Sequence, residues 1–469
     1  MYSPYLLKFR NLVQVRDSHR DIFIFGGGCH VFRIFEAPPW TKKILGDLSA
    51  GESTADEICS AAADVATNVD VAEIFYFLGQ IEGRGLLTYT LTAHGTPTAT
   101  LEPSSARFSL HAVSSEDKVR LSRFAYMRRA DDSILLESAI GCARIIINDP
   151  SVAKLAALLV VPHSAIELAA AAGCDVSTCT KILFLLINAR VAQVCSAGSN
   201  LFEDNDSALR HWAFHDLLFH VRSRRGRHDY PTGASFPFRG ELPPAARKPA
   251  TTNARTVLYK PSAEALNIQD VPFNTVLEGR RSLREPGPVP LSLLELGEFL
   301  YRVARVKQFY PADPERPLTY DSSMRPCPGT GAIHEIELYL TIARCDGIDA
   351  GLYYYDAFSH QLEKLGNLGS LQQQLLADAR NAAGTKSFPD VLIVLAARYQ
   401  RLAWKYESIV YASILKDAGI LQQQMYLVAT AMRLAPCALG CGDSDAFARA
   451  TTLDYYAETS VAEFMLSRH

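Results

Sequence analysis

Two copies of one pattern fill the first two hundred residues, and that repetition constrains the fold more than any other feature of the chain. Residues 21–35 alternate apolar side chains around Gly26-Gly27-Gly28, as a β-hairpin does, and helical segments start at Thr41, Thr54 and Asp70 before a closing strand over residues 86–91. The order returns as paired strands over residues 133–148, helices from Ser151, His163 and Asp175, and a strand over residues 191–195. Cys29 matches Cys142 and Leu45 matches Leu158, each 113 positions on, whereas Asp70-Val71 matches Asp175-Val176 at 105. A shared element order with drifting spacing predicts two copies of one small unit, not a solenoid.

Two strands, three helices and a closing strand describe a winged helix, so residues 1–97 and 98–199 are expected to form two winged-helix-like domains. Reading DNA would require Arg, Lys, Asn or Gln on the third helix. The third helices here read Asp-Val-Ala-Glu-Ile-Phe-Tyr-Phe-Leu and Asp-Val-Ser-Thr-Cys-Thr-Lys-Ile-Leu-Phe-Leu-Leu, acidic or apolar, and a net charge of −3 adds no general attraction to nucleic acid. Two uses are left: a peptide clamp, in which an extended peptide pairs with an exposed strand beside the third helix, or a purely structural pair.

A chain of 469 residues exceeds what one core holds, and about three domains are expected. Residues 1–13 lack the basic start and apolar run of a signal peptide. The most apolar stretch, residues 155–172, is broken by Pro162, His163 and Glu167, against a membrane span. Ten scattered cysteines fit reduced thiols in a cytoplasmic protein. Residues 200–255 are expected to be a connector carrying one helix around residues 211–220. His211 and His215 have a spacing that zinc can use on one helix face, but no third ligand stands nearby, so no metal is expected. Arg222, Arg224, Arg225 and Arg227 read as a solvated basic linker. Gly26 to Gly28 lack the following Lys and Ser/Thr of a phosphate loop.

The last two hundred residues carry the chemistry. A helix marked by Phe273, Val276 and Leu277 runs into Arg280-Arg281-Ser282-Leu283-Arg284, where clustered guanidinium groups and a hydroxyl can bind a phosphate and a polyol. Ser292 and Glu295 form a capping box for the next helix. The tight loop Arg325-Pro326-Cys327-Pro328-Gly329-Thr330-Gly331 leads into an alternating strand over residues 335–342. A hairpin over residues 353–365 and a buried strand over residues 390–397 follow. Ile414, Ala418, Leu421, Met425, Val428, Ala429 and Met432 recur at helical spacing within residues 404–434, which predicts a long buried helix, with the turn Leu439-Gly440-Cys441-Gly442-Asp443 after it. Lys405 and Tyr406 stand just before that helix, where two proton-holding groups can face one pocket.

This order of motifs resembles the nitroreductase superfamily of FMN enzymes over residues 256–469. Lys405-Tyr406 narrows the resemblance to the azoline dehydrogenases of ribosomal peptide maturation, and the tandem repeat with Trp212-Ala-Phe-His-Asp-Leu-Leu-Phe-His looks like their cyanobactin thiazoline oxidase branch. The resemblance implies an α+β fold: two winged-helix-like peptide-clamp domains, the connector, and a nitroreductase-like FMN domain that dimerises with each FMN at the subunit interface. It implies FMN held by Arg280, Arg281, Ser282, Arg284, Pro328, Gly329, Thr330, Gly331, Gln424, Leu439, Gly440 and Gly442, with Lys405 and Tyr406 catalytic. Gly329-Thr330 stands where the family often has a serine after proline. The implied reaction converts thiazoline or oxazoline rings of a precursor peptide to azoles, with molecular oxygen as electron acceptor. A lysine serves as base there only if its pKa is lowered. The other readings are an NAD(P)H-dependent flavin reductase acting on a small molecule and a peptide-binding scaffold with an inactive flavin domain.

Overall fold

A computed structural model of the chain describes residues 4–18, 20–26, 29–66, 69–93, 95–196, 201–313, 315–316 and 318–469. The chain divides into two compact units, residues 1–230 and 231–469, so the division falls inside the stretch expected as a connector.

In the first unit Thr54, Asp70 and Asp175 open helices as expected, by capping them, whereas the helices expected from Thr41, Ser151 and His163 have Pro38, Asp149 and Ser164 at the N-cap. Thr54 caps Ala55–Val65 in a reciprocal box with Glu57, Asp70 caps Val71–Glu82, Ser164 and Glu167 box Ala165–Ala172, and Asp175 caps Val176–Asn188. The hairpin of the first copy pairs Asp21–Gly26 with Cys29–Ile34, and its tip, Gly27-Gly28, lies outside the described residues. The polar strand Val13–Ser18, silent in the sequence, joins that hairpin. The two copies do not stand apart. Leu87–Ala93 closes the first, turns back as Thr96–Pro103, and pairs there with Ala143–Ile147 of the second, so one seven-stranded sheet and one core run through both. From Ile182 to Ile187 the last helix is buried on every side, which leaves no free face there for a DNA groove.

The basic run after it is not a solvated linker at its start. Arg222 donates to both oxygens of Glu137 at 3.1 Å and stacks 3.9 Å over the Tyr230 ring, while Arg144 pairs with Asp229 at 2.7 Å. Nor do His211 and His215 share a helix: the first ends the 3₁₀ turn Leu209–His211 and the second belongs to Phe214–Arg222. No group of three potential metal ligands occurs among the described residues.

The second unit is a seven-stranded antiparallel sheet in the order Arg255–Val257, Gln361–Asn367, Gly351–Asp356, Ile336–Ile342, Val391–Arg398, Glu458–Arg468, Leu434–Ala438. Its centre, Ile336–Ile342, was expected to alternate between buried and exposed, yet all seven residues are buried. The side chains do alternate, but both faces are covered. Leu338 and Leu340 meet Phe299, Leu421 and Met425 on one side, and Tyr339 meets Leu376 and Phe447 on the other. Leu293–Ala304 opens with the expected box of Ser292 and Glu295.

The long helix runs from Val410 to Ala431 and buries Ile414, Ala418, Leu421, Met425, Val428 and Ala429. It is buried along one side only, since Tyr411, Leu415 and Ile420 stay 44%, 39% and 39% exposed. It ends before Leu434, which opens the strand Leu434–Ala438, so the Leu439–Asp443 turn follows that strand and not the helix. Nine of the ten cysteines, from Cys59 to Cys441, are free thiols. No single helix among the described residues is long and apolar enough to cross a membrane.

Candidate active site

The turn carrying Lys405 is stitched from both sides. Ahead of it the short helix Tyr399–Ala403 buries Arg401, whose guanidinium donates to the carbonyls of Pro244 at 2.8 Å, Ile333 at 2.7 Å and Asp321 at 3.3 Å. Burial, with Arg398 close by, brings its pKa down to about 10, which still leaves it charged at neutral pH. Residues 231–246, expected as part of a loose connector, are a strap along this turn. Gly233 exchanges backbone hydrogen bonds with Glu407, the Phe236 amide donates to the Lys405 carbonyl at 3.0 Å, Trp404 Nε1 donates to the Glu241 carbonyl at 3.0 Å, and Ser408 Oγ donates to the Pro231 carbonyl at 2.7 Å.

Held this way, Lys405 and Tyr406 face Gly331. Gly331 has φ +61°, and a Cβ there would lie 2.8 Å from the Tyr406 hydroxyl, 3.2 Å from Lys405 Nζ and 3.3 Å from the Tyr320 hydroxyl. Three polar side-chain ends therefore converge where a side chain is missing. Lys405 Nζ donates to the Tyr320 hydroxyl at 2.6 Å, and that hydroxyl donates to the Gly331 carbonyl at 3.0 Å. Burial alone would push the lysine pKa down, but the hydroxyls of Tyr320 and Tyr406 outweigh it and hold the ammonium above the ordinary lysine range. Lys405 is thus a fixed cation at rest, not the pKa-lowered amine that a lysine base requires.

The loop before Gly331 rests on a buried carboxyl pair. The Thr330 amide donates to Asp417 on the long helix at 2.8 Å. Beside it Glu335 is fully buried with no donor to either oxygen among the described residues. Burial first, and the Asp417 charge second, raise the Glu335 pKa to about 7. Arg325, Cys327, Pro328, Gly329 and His334 join them around a cavity of about 20 Å³, roughly the room one water needs. His334, desolvated and near Arg325, stays neutral with its pKa lowered to about 3. Gly329 leaves room for it, since a Cβ there would stand 2.8 Å from His334 Nδ1.

The arginine bend is built differently. The helix Phe273–Gly279 ends with the Arg280 amide donating to the Val276 carbonyl. Ser282 Oγ lies 2.7 Å from the Tyr426 hydroxyl, which accepts from the Ala438 amide at 2.8 Å, and the Arg280 guanidinium sits 5.4 Å over the Tyr426 ring. Arg280, Arg281 and Arg284 are exposed, and none has a carboxylate partner among the described residues. Three uncompensated guanidinium groups beside a hydroxyl form an anion-binding edge, which fits a phosphate-bearing cofactor. The Leu439 amide donates to the Glu463 carbonyl at 3.0 Å, Gly440 and Gly442 are exposed, and Gly442 abuts the Glu463 carboxyl so closely that a side chain there would require Glu463 to shift. Gln424 is half-buried, seven residues beyond Asp417 on the same face of the long helix.

The expected residues thus fall into two clusters. Pro328 to Gly331 join Lys405 and Tyr406; Arg280 to Arg284 join the end of the strand Leu434–Ala438. Both touch the long helix, at Asp417 and Tyr426, about 13 Å apart along its axis at 1.5 Å per residue. Sequence reading missed Tyr320, Arg401, Glu335 and Asp417. Asp417 did carry a signal, as a lone acid on the buried helix face between Ile414, Ala418 and Leu421.

Comparison with known proteins gives two family matches. The model of the nitroreductase family matches residues 277–464, and that of the cyanobactin oxidase ThcOx matches residues 119–229. The Methanocaldococcus jannaschii protein MJ1384, provisionally named a nitroreductase, is 25% identical over 182 residues, covering 37% of this chain and 81% of its own. Among solved structures, a nitroreductase-like protein of Ralstonia eutropha JMP134 is similar at 20% identity, covering 49% of this chain and 95% of its own, with a TM-score of 0.36. A chain of the E. coli microcin synthetase McbBCD complex, solved with truncated pro-MccB17 bound, is similar at 18% identity, covering 54% of this chain and 90% of its own, with a TM-score of 0.33.

Proposed function

For a chain whose residues 277–464 match the nitroreductase family and whose residues 119–229 match the cyanobactin oxidases, we propose an FMN-dependent azoline oxidase acting on a ribosomally made peptide. The observation that carries this reading is the convergence of Lys405 and Tyr406 on Gly331 within the flavin-enzyme domain. Arg280, Arg281, Ser282 and Arg284 would hold the phosphate and ribityl chain, with Pro328 to Gly331, Gln424, Leu439, Gly440 and Gly442 along the remainder. Bound FMN supplies the hydride acceptor, with molecular oxygen as the final electron acceptor. The chain's own residues orient the ring and handle the proton. Lys405 and Tyr406 are assigned jointly to the proton that leaves the α-carbon: because Lys405 rests as an ammonium, the pair first releases one proton to solvent, and the base so formed accepts the α-carbon proton.

Tyr411 and Leu415, exposed one turn apart on the long helix, support a homodimer through that face. The first unit, with winged-helix-like copies over residues 1–97 and 98–199, is assigned as the peptide clamp. Support for peptide over DNA comes from third helices that carry no cluster of basic residues.

The experiment is anaerobic reduction. The purified protein is expected to be yellow and to bleach with an azoline-containing peptide as azole forms. Bleaching by NAD(P)H and not by the peptide would instead make it a reductase of small molecules, and colourless protein under all loading conditions would leave a peptide-binding scaffold.

A further inference from the structure

Lys405 is surrounded in an unusual way for a half-buried cation. Among the described residues it makes no ion pair with a carboxylate, and the nearest acid in sequence, Glu407, accepts instead from the Ser235 hydroxyl on the strap. Its company is aromatic: Nζ lies 4.5 Å from the Tyr320 ring centroid and 5.0 Å from that of Tyr406, distances at which a cation is attracted to the ring face. Of the two tyrosines, only Tyr320 is tied onward at its hydroxyl, to the Gly331 carbonyl, and its ring leans on Trp404 at 6.2 Å. Gly331 in turn cannot turn aside freely, because the Thr330 amide before it is bound to Asp417. A chain of fixed contacts therefore runs from the long helix through the loop to the Tyr320 oxygen and ends on Lys405 Nζ.

We propose that Tyr320 is the positioning residue of this site, deepening the reading above: its hydroxyl accepts from Lys405 Nζ and donates to the Gly331 carbonyl, fixing the ammonium beside Tyr406. An ammonium has three protons to give, so one anchored on Tyr320 leaves two for a substrate atom and for Tyr406. Without the anchor, a flexible four-carbon side chain samples many positions, and a misplacement of about 1 Å at a reacting group costs roughly 10²-fold in rate.

The test is Tyr320→Phe, which keeps the ring and removes the hydroxyl. Lysines of the full-length protein are labelled by ¹³C reductive methylation, and the Lys405 signal, identified by its absence in Lys405→Ala, is titrated in both proteins without any substrate. The hydroxyl raises the lysine pKa, so the Lys405 midpoint is expected to fall in Tyr320→Phe while flavin content stays unchanged. In parallel, azole formation is expected to fall roughly 10²-fold in kcat with KM little altered. Unchanged Lys405 titration in the folded variant overturns the proposal. The reciprocal measurement covers a variant that folds poorly: in wild-type background with ¹³Cζ-tyrosine, Lys405→Ala is expected to shift the Tyr320 resonance, and no shift overturns the proposal equally. A protein that never turns over azoline peptide yet shows both spectral effects would keep the Tyr320 contact and discard the proposed reaction.

Discussion

The arginine bend and the Gly331 bend rest on the same long helix and are built in opposite ways. Arg280 to Arg284 are consecutive in sequence, exposed, and left with uncompensated charge. The Gly331 cluster draws Tyr320, Gly331, Lys405 and Tyr406 from distant segments, places them within hydrogen-bonding reach, and locks them with a left-handed backbone and a strap. On the proposed function, the difference follows from what each would be asked to do. Holding an anion needs local charge density, which a short run of guanidinium groups supplies by itself. Moving a proton needs atoms held to a fraction of an ångström, which only packing from several directions provides.

Three variants break or sharpen that contrast. The largest effect is expected from Gly331→Ala, which demands φ +61° of a residue that resists it and drives a methyl group toward the Tyr406 hydroxyl. Turnover should fall roughly 10²- to 10³-fold with flavin retained, measured as azole formation beside flavin absorbance. At the other bend, Arg280→Ala with Arg284→Ala should give folded but colourless protein, with flavin affinity weakened about tenfold per arginine as charge-assisted bonds at an exposed site are lost. Full flavin occupancy in that double variant would remove the bend from the cofactor site.

The smallest effect concerns the carboxyl pair under the Gly331 loop. Glu335 has a folded pKa raised to about 7, above its unfolded value, so the folded state binds the extra proton and loses stability as pH rises from about 4.3 toward 7. Glu335→Gln keeps the shape without the charge and should be more stable than wild type by a margin that grows from pH 5 to pH 8, read from urea midpoints. Equal differences at both pH values would mean that Glu335 does not titrate in that range.

What could be read from the sequence was what neighbouring residues decide among themselves. Thr54, Asp70 and Asp175 capped the helices they were expected to cap, Ser292 and Glu295 boxed another, and the apolar spacing of Ile414 to Val428 found the buried side of the long helix. The Lys405-Tyr406 pair was visible because it is a pair. Tyr320 was not, because it stands 85 positions from its lysine and nothing around it marks a partner. The strap escaped for a similar reason: residues 231–246 have the Pro and Gly of a linker, and only the backbone and side-chain groups of Trp404 to Ser408 reveal what they hold. The shared sheet of the first unit was hidden because strand pairing between the copies depends on a hairpin, Leu87 to Pro103, of which only the first half was recognised.

The central claim is that Lys405 and Tyr406 act on the proton while other residues hold the flavin. Its most direct measurement is a set of three variants, Lys405→Ala, Tyr406→Phe and both together, each assayed for flavin absorbance and for azole formation by mass spectrometry as loss of two hydrogens per ring. The account predicts yellow protein in all three, turnover reduced about 10²- to 10⁴-fold in each single variant, and a combined loss well below the product of the two because the groups act as a unit. Near-normal turnover in both single variants with flavin fully bound would contradict it and move the proton chemistry elsewhere on the chain.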